Sequence, residues 1–178
     1  MAYMHKDTFD ISNHSLDSYL NVDKEIYFHV DDSIALPIQE LNRKGYITDG
    51  CCAGHPFNAH NFERGIRPLE NIESLDDTAR IFFEKRASYI IFIEGISLPS
   101  LPPGFVVRDK EQLKNMLAGI QAYVHTIESI LQDNRLRIQY FYGESSNYAF
   151  LRESIEAMEQ LYKWALSLPD FKNEGLSK

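Results

Sequence analysis

Between Glu25 and Gly54 the hydrophobic period changes twice, and this segment restricts the fold more than any other. Ile26, Phe28 and Val30 alternate with Tyr27 and His29, the period of a strand. Asp31-Asp32-Ser33 then supplies side chains suited to capping a helix. Ile34, Ile38 and Leu41 recur at helical spacing up to Lys44, and Gly45 stops the helix as a C-terminal glycine does. Pro37 lacks a backbone donor, so the first turn is expected to be irregular. Tyr46 to Cys51 resumes an extended pattern. Strand, helix and strand within about 27 residues is the length of a βαβ unit, a right-handed crossover joining parallel strands.

That unit ends in Gly50-Cys51-Cys52-Ala53-Gly54-His55, a glycine-rich turn holding the chain's two cysteines. If the two strands are parallel, their C-terminal ends share one sheet edge, where open α/β sheets bind ligands. His29, Asp31 and Asp32 leave the first strand there, and Cys51, Cys52 and His55 leave the second. The expected ligand-binding residues are therefore Asp31, Asp32, Cys52, Gly54 and His55. Alternation along a strand puts the cysteines on opposite faces, with Cys51 packed and Cys52 accessible.

Three chemistries compete for the turn. Cys52-x-x-His55 has a workable metal-ligand spacing, with Cys51, His60 or Asp31 as further ligands. Adjacent cysteines rarely share one ion, and no second ligand pair of familiar spacing follows, so no structural metal is expected. A cysteine activated by His55 or His29, oriented by Asp31 or Asp32, would make a nucleophile, with N–H groups near Gly54 for an oxyanion. The structural alternative packs Cys51 as a small apolar residue, while Gly54 merely permits the turn. The residues leave cofactor and reaction open.

Residues 1–24 are polar with scattered aromatics and read as an N-terminal arm; residues 25–178 read as one domain. Residues 53–73 form a loop broken by Pro56, Gly65 and Pro68, and Ser74-Leu75-Asp76-Asp77 opens a helix to about Arg86. Tyr89 to Ile93 is five apolar residues in a row, the pattern of a central strand buried on both faces. A proline-rich turn leads to the short strand Phe105-Val106-Val107. Leu113, Met116, Leu117, Ile120, Val124, Ile127 and Leu131 stripe a helix from Asp109 to Gln132. Arg135 to Tyr142 alternates with a partly polar face, which suggests an edge strand. The last helix carries Leu151, Ile155, Met158, Leu161 and Trp164 on or near one side. The expected class is α/β or α+β, a single domain with a mixed sheet of about five strands that opens with the βαβ unit.

Composition sets the outer limits. At 178 residues, 44% hydrophobic and 25% charged, the chain has enough material for a core of its own. No run approaches the roughly 18 apolar residues of a membrane span, and no basic segment followed by an apolar one opens the sequence. A cytoplasmic protein with no membrane partner is the expectation. A net charge of −8 speaks against a nucleic-acid surface, which needs clustered Lys and Arg.

The run Ile38-Gln39-Glu40-Leu41-Asn42-Arg43-Lys44-Gly45-Tyr46, then Thr48 and Cys51-Cys52-Ala53-Gly54-His55, resembles a family of small uncharacterised bacterial and phage proteins. They carry a Cys-Cys-(Ser/Ala)-Gly-His turn after such a helix. Tyr89-Ile90-Ile91-Phe92 and Leu101-Pro102-Pro103-Gly104-Phe105 fit the same pattern. The resemblance covers roughly residues 25–108 and implies no activity. A weaker similarity is to the wybutosine-synthesising methyltransferases of tRNA modification, whose Ser-Ser-Cys-Ser-Gly-Arg turn aligns with Gly50 to His55. Here the serine pair is absent and His55 stands in place of the arginine, so the similarity implies shared architecture alone.

Two functional expectations result. One is recognition of a small polar or anionic ligand at the Cys51–His55 turn. The other is a non-catalytic interaction or regulatory module that forms a homodimer through the C-terminal helix and the aromatic strand.

Overall fold

The computed structural model describes residues 2–13, 23, 25–54, 87–108, 132–142 and 147–171. The expected loop beyond Gly54, the helix over 74–86, and the helix from Asp109 up to Leu131 lie outside these residues. The strands are β1 (Ala2–His5), β2 (Ile11–Asn13), β3 (Tyr27–Val30), β4 (Thr48–Cys52), β5 (Ala87–Phe92), β6 (Val106–Val107) and β7 (Arg137–Phe141). Two helices, α1 (Ala35–Arg43) and α2 (Asn147–Ser167), complete an α+β fold.

The strands form two antiparallel sheets, ordered β2-β1-β3 and β4-β5-β7-β6. This corrects the expected single mixed sheet and parallel βαβ unit. Strand, helix and strand follow in the expected order, but β3 pairs with β1 and β4 pairs with β5. The helix therefore joins two sheets instead of crossing over within one.

The segment expected to be an N-terminal arm supplies the middle strand of the first sheet. Ala2, Tyr3 and Met4 are all buried, so β1 lacks the alternation that marks a half-buried strand. Tyr3 pairs with His29 and Met4 with Phe28. Phe9 takes a left-handed φ of 57° between β1 and β2.

Helix α1 follows its sequence signals closely. A 3-10 turn over Asp32–Ile34 precedes it, and Pro37 lies in the first helical turn, where backbone N–H groups have no helical partner in any case. Gly45 at φ +87° closes the far end, and its N–H donates to the Asn42 carbonyl at 3.0 Å. Buried Asn42 ties this helix to β4: its side-chain amide donates to the Ile38 carbonyl (2.8 Å) and to Thr48 Oγ1 (2.9 Å), and its oxygen accepts the Thr48 N–H (2.9 Å).

Helix α2 packs against α1. Lys44 Nζ donates to the carbonyls of Leu166 and Leu168, both at 2.7 Å, placing a cation at the α2 C-terminus where the helix dipole favours it. Its buried residues are Ala157, Met158, Leu161, Trp164 and Ala165, followed by Leu168 just beyond the helix. Leu151 and Ile155, expected on or near the same side as these residues, are 56% and 53% exposed. One hydrophobic cluster containing Met4, Ile38, Ile90, Ile138 and Leu161 joins both sheets and both helices. Each such side chain contributes about 1.5–3 kcal/mol by leaving water. No described helix is long and apolar enough to cross a membrane.

Candidate functional site

Strand β4 has one residue too many for its partner: Thr48 pairs with Phe92 and Gly50 with Ile91, leaving a bulge at Asp49. An extra residue reverses the alternation that follows. Thr48 and Cys51 therefore share the core face, and Cys51 packs against the hydrophobic cluster. Cys52 lies on the outer face beside its pairing partner Tyr89.

The turn after β4 is pinned from two sides. The Ala53 N–H donates to Asp31 Oδ2 at 2.9 Å, and the Tyr142 hydroxyl donates to the Ala53 carbonyl at 2.8 Å. Cys52 makes a side-chain hydrogen bond to Asp31, and the Gly54 N–H donates to Cys52 Sγ at 3.4 Å. Gly54 sits at φ +82°, a left-handed conformation that favours glycine. Asp31 therefore meets the cysteine turn, as expected, although not through neighbouring parallel strands. This engagement also explains why Asp31 makes no side-chain cap to the turn it precedes. Asp32 begins the 3-10 turn and is exposed; His29, also exposed, packs its ring beside Tyr3 at 5.3 Å. His55 and His60 lie outside the described residues.

The thiols are electrostatically quiet. Burial pushes Cys51 up to about 12, with Asp31 and then Cys52 adding to the shift. Burial also raises Cys52; the Gly54 N–H and Arg137 oppose the rise, while Asp31 reinforces it. A nucleophilic cysteine needs the opposite displacement, toward thiolate at neutral pH. Among the described residues, no three His, Cys, Asp or Glu side chains gather as a metal site.

The other end of the same sheet holds a concentration of arginines that the sequence reading passed over. Arg108 follows β6, Arg135 precedes β7, and Arg137 begins β7. With Asp133 and the turn at Gly95 and Ile96 they line a cavity of about 350 Å³. Strand β7 was expected at an edge, but β6 covers its outer side, and the Arg108 N–H donates to the Arg137 carbonyl at 2.9 Å.

These three cations are not equivalent. Arg135 grips Asp133 with Nε to Oδ1 and Nη2 to Oδ2, both 2.7 Å, and its Nη1 donates to Asp49 at the β4 bulge. The hydrogen bonds it donates to Asp133 hold its guanidinium above the ordinary value. Arg137 lies over the Tyr89 ring, 4.1 Å from its centroid, in a cation–π contact. Its Nε is buried and has no hydrogen-bond partner among the described residues. Burial lowers Arg137, and burial followed by repulsion from Arg137 brings Arg108 down to about 10.

Arg137 also connects the two ends. It pairs with Ile91 across β5, and its charge acts on Cys52 through the Tyr89 side of the sheet. Arg135 and Arg137 stand two apart in the sequence at the start of β7, with Arg108 just beyond the valines of β6. That spacing was the available sequence signal. No family model, curated protein or solved structure matches this chain.

Proposed function

We propose that the protein binds a small polar or anionic ligand at the arginine-lined cavity of the four-stranded sheet, where Arg137 rests on the Tyr89 ring. One observation carries this reading: the guanidinium of Arg137 is half-buried, yet its Nε finds no acceptor among the described residues. Leaving a buried donor unsatisfied costs about 1–3 kcal/mol, and more when it is charged, which a ligand acceptor would recover. The raised thiols favour binding over covalent catalysis.

Thermal unfolding against a panel of small carboxylates, phosphates and neutral polyols tests this reading. Anions or polar compounds should raise the melting temperature of the intact chain and lose that effect in Arg137→Gln. Stabilisation that is equal in the variant, or absent across the panel, contradicts the reading.

Self-association is favoured by a separate observation. Leu151, Ile155 and Leu166 are exposed along α2 and lie at helical spacings on one side. Light scattering across a dilution series should then detect a dimer that Leu151→Asp or Ile155→Asp dissociates. A monomer at every concentration would exclude this second reading.

A further inference from the structure

The exposed apolar residues of α2 have an order that a chance patch lacks. At about 100° per residue, Leu151, Ile155, Tyr162 and Leu166 fall within about 60° of the helix circumference. Three of them are about half exposed and Tyr162 is half-buried. They extend over about 22 Å of the helix axis. The stripe borders the buried face made by Met158, Leu161 and Ala165, so the apolar side of α2 is wider than the core covers. Helix α2 is also held in place: Trp164 Nε1 donates to Ser100 Oγ at 3.0 Å and the Tyr140 hydroxyl donates to Glu153 at 3.1 Å. It presents the stripe without needing to be ordered first.

The spacing reads the same in both directions. Leu151 and Leu166 stand equally far from the point between Met158 and Glu159, and so do Ile155 and Tyr162. An identical helix laid antiparallel across α2 would place leucine on leucine and isoleucine on tyrosine. A second copy related by a two-fold axis supplies that helix, whereas an unrelated partner has no need of the reflection. The charges bordering the stripe are reflected too: Arg152, Glu156, Glu159 and Lys163 run plus, minus, minus, plus. Arg152 meets Glu156 at 3.7 Å and Lys163 meets Glu159 at 3.9 Å, so this border is neutral within its own helix. In a chain of net charge −8, such a border lets two copies approach with little mutual repulsion.

We infer that α2 is a dimerisation helix that pairs antiparallel with the α2 of a second copy, Leu151 lying on the partner's Leu166 and Ile155 on the partner's Tyr162. This rests on the self-association reading above and deepens it by fixing the orientation and register of the two helices.

Sedimentation equilibrium of the full chain, wild type and three variants, tests the inference, with circular dichroism to show that each variant is folded. Wild type should dimerise. Leu151→Asp and Leu166→Lys should each weaken dimerisation at least about tenfold, because each loses a buried leucine contact. The double variant carrying both substitutions on one chain should recover much of that loss, since antiparallel pairing sets each new aspartate against the partner's new lysine. Parallel pairing would set like charges together and dissociate it further. Weakening by both single variants with no recovery in the double variant overturns the antiparallel register while the self-association reading stands. A wild-type dimer indifferent to both single variants places the interface elsewhere and overturns the inference. A monomer at every concentration overturns both the inference and the self-association reading. A monomer that Leu151→Asp also unfolds would show that the face is covered by the chain itself.

Discussion

The two ends of the four-stranded sheet solve opposite problems. At the cysteine end, each polar group of the Ala53 peptide has a partner: its N–H meets Asp31 and its carbonyl accepts from Tyr142. At the arginine end, cations crowd a cavity and the buried Arg137 Nε finds no acceptor among the described residues. A satisfied network fixes structure, whereas a buried charged donor without an acceptor is where a ligand is proposed to act. The conspicuous residues of the sequence therefore sit at the structural end, and the inconspicuous ones sit where binding is proposed.

The largest expected effect comes from breaking the pin. Asp31→Ala leaves the Ala53 N–H in the interior without its acceptor and should cost about 1–3 kcal/mol in urea unfolding. Asp31→Asn keeps an acceptor oxygen and should cost less. Tyr142→Phe removes the donor to the Ala53 carbonyl, for a loss of about 0.5–1.5 kcal/mol. A loss for Asp31→Ala no larger than that for Asp31→Asn would mean that the turn stands without this bond.

Alkaline pH probes the same end. In the folded chain Cys51 is raised from 9.0 to about 12 and Tyr142 from 10.0 to about 12, burial being the first cause for each. Over that interval the folded state keeps protons that the unfolded state releases, so stability is full below it and declines as pH rises through it. Cys51→Ala should flatten the decline measured by urea unfolding across the interval. An unchanged slope would show that the Cys51 thiol is not held protonated by the fold.

The smallest stability effect is expected at the arginine end. Arg137→Gln gives up a cation–π contact of about 0.5–2 kcal/mol but also relieves a desolvated charge beside Arg108, so net stability should stay within about 1 kcal/mol of wild type. A loss comparable to that of Asp31→Ala would make Arg137 a structural residue and erase the contrast between the ends.

What the sequence revealed follows the range of its signals. Helix α1 was legible because Ile38, Leu41 and Gly45 act within a few residues of one another. Strands β3 and β4 were legible from alternation and from the glycine turn. Their partners were not, since pairing is decided by contacts between distant segments: β3 joins residues 2–5, and β4 joins residues 87–92. Strand β1 was hidden because Ala2, Tyr3 and Met4 are buried together, which removes the period. The meeting of Asp31 with the cysteine turn was anticipated, but from a topology that does not occur.

The arginine cavity was missed for a related reason. Arg135 and Arg137 read as the polar face of an edge strand, and nothing local reports that β6 covers β7 or that the Asp49 bulge turns toward Arg135. The bulge also sets the faces of the cysteines, by inserting one residue before Cys51. Leu151 and Ile155 illustrate the converse, since helical spacing marks a face but not what lies against it.

The contrast between the ends is tested most directly by mapping backbone amide shifts in a two-dimensional ¹H–¹⁵N spectrum while inorganic phosphate, or succinate if phosphate does not bind, is added to the intact chain. The account predicts that the amides of Gly95, Arg108 and Arg137 move together and saturate, while those of Ala53 and Gly54 stay in place. Saturable shifts at Ala53 and Gly54 with a still arginine end would contradict it and return the site to the cysteine turn.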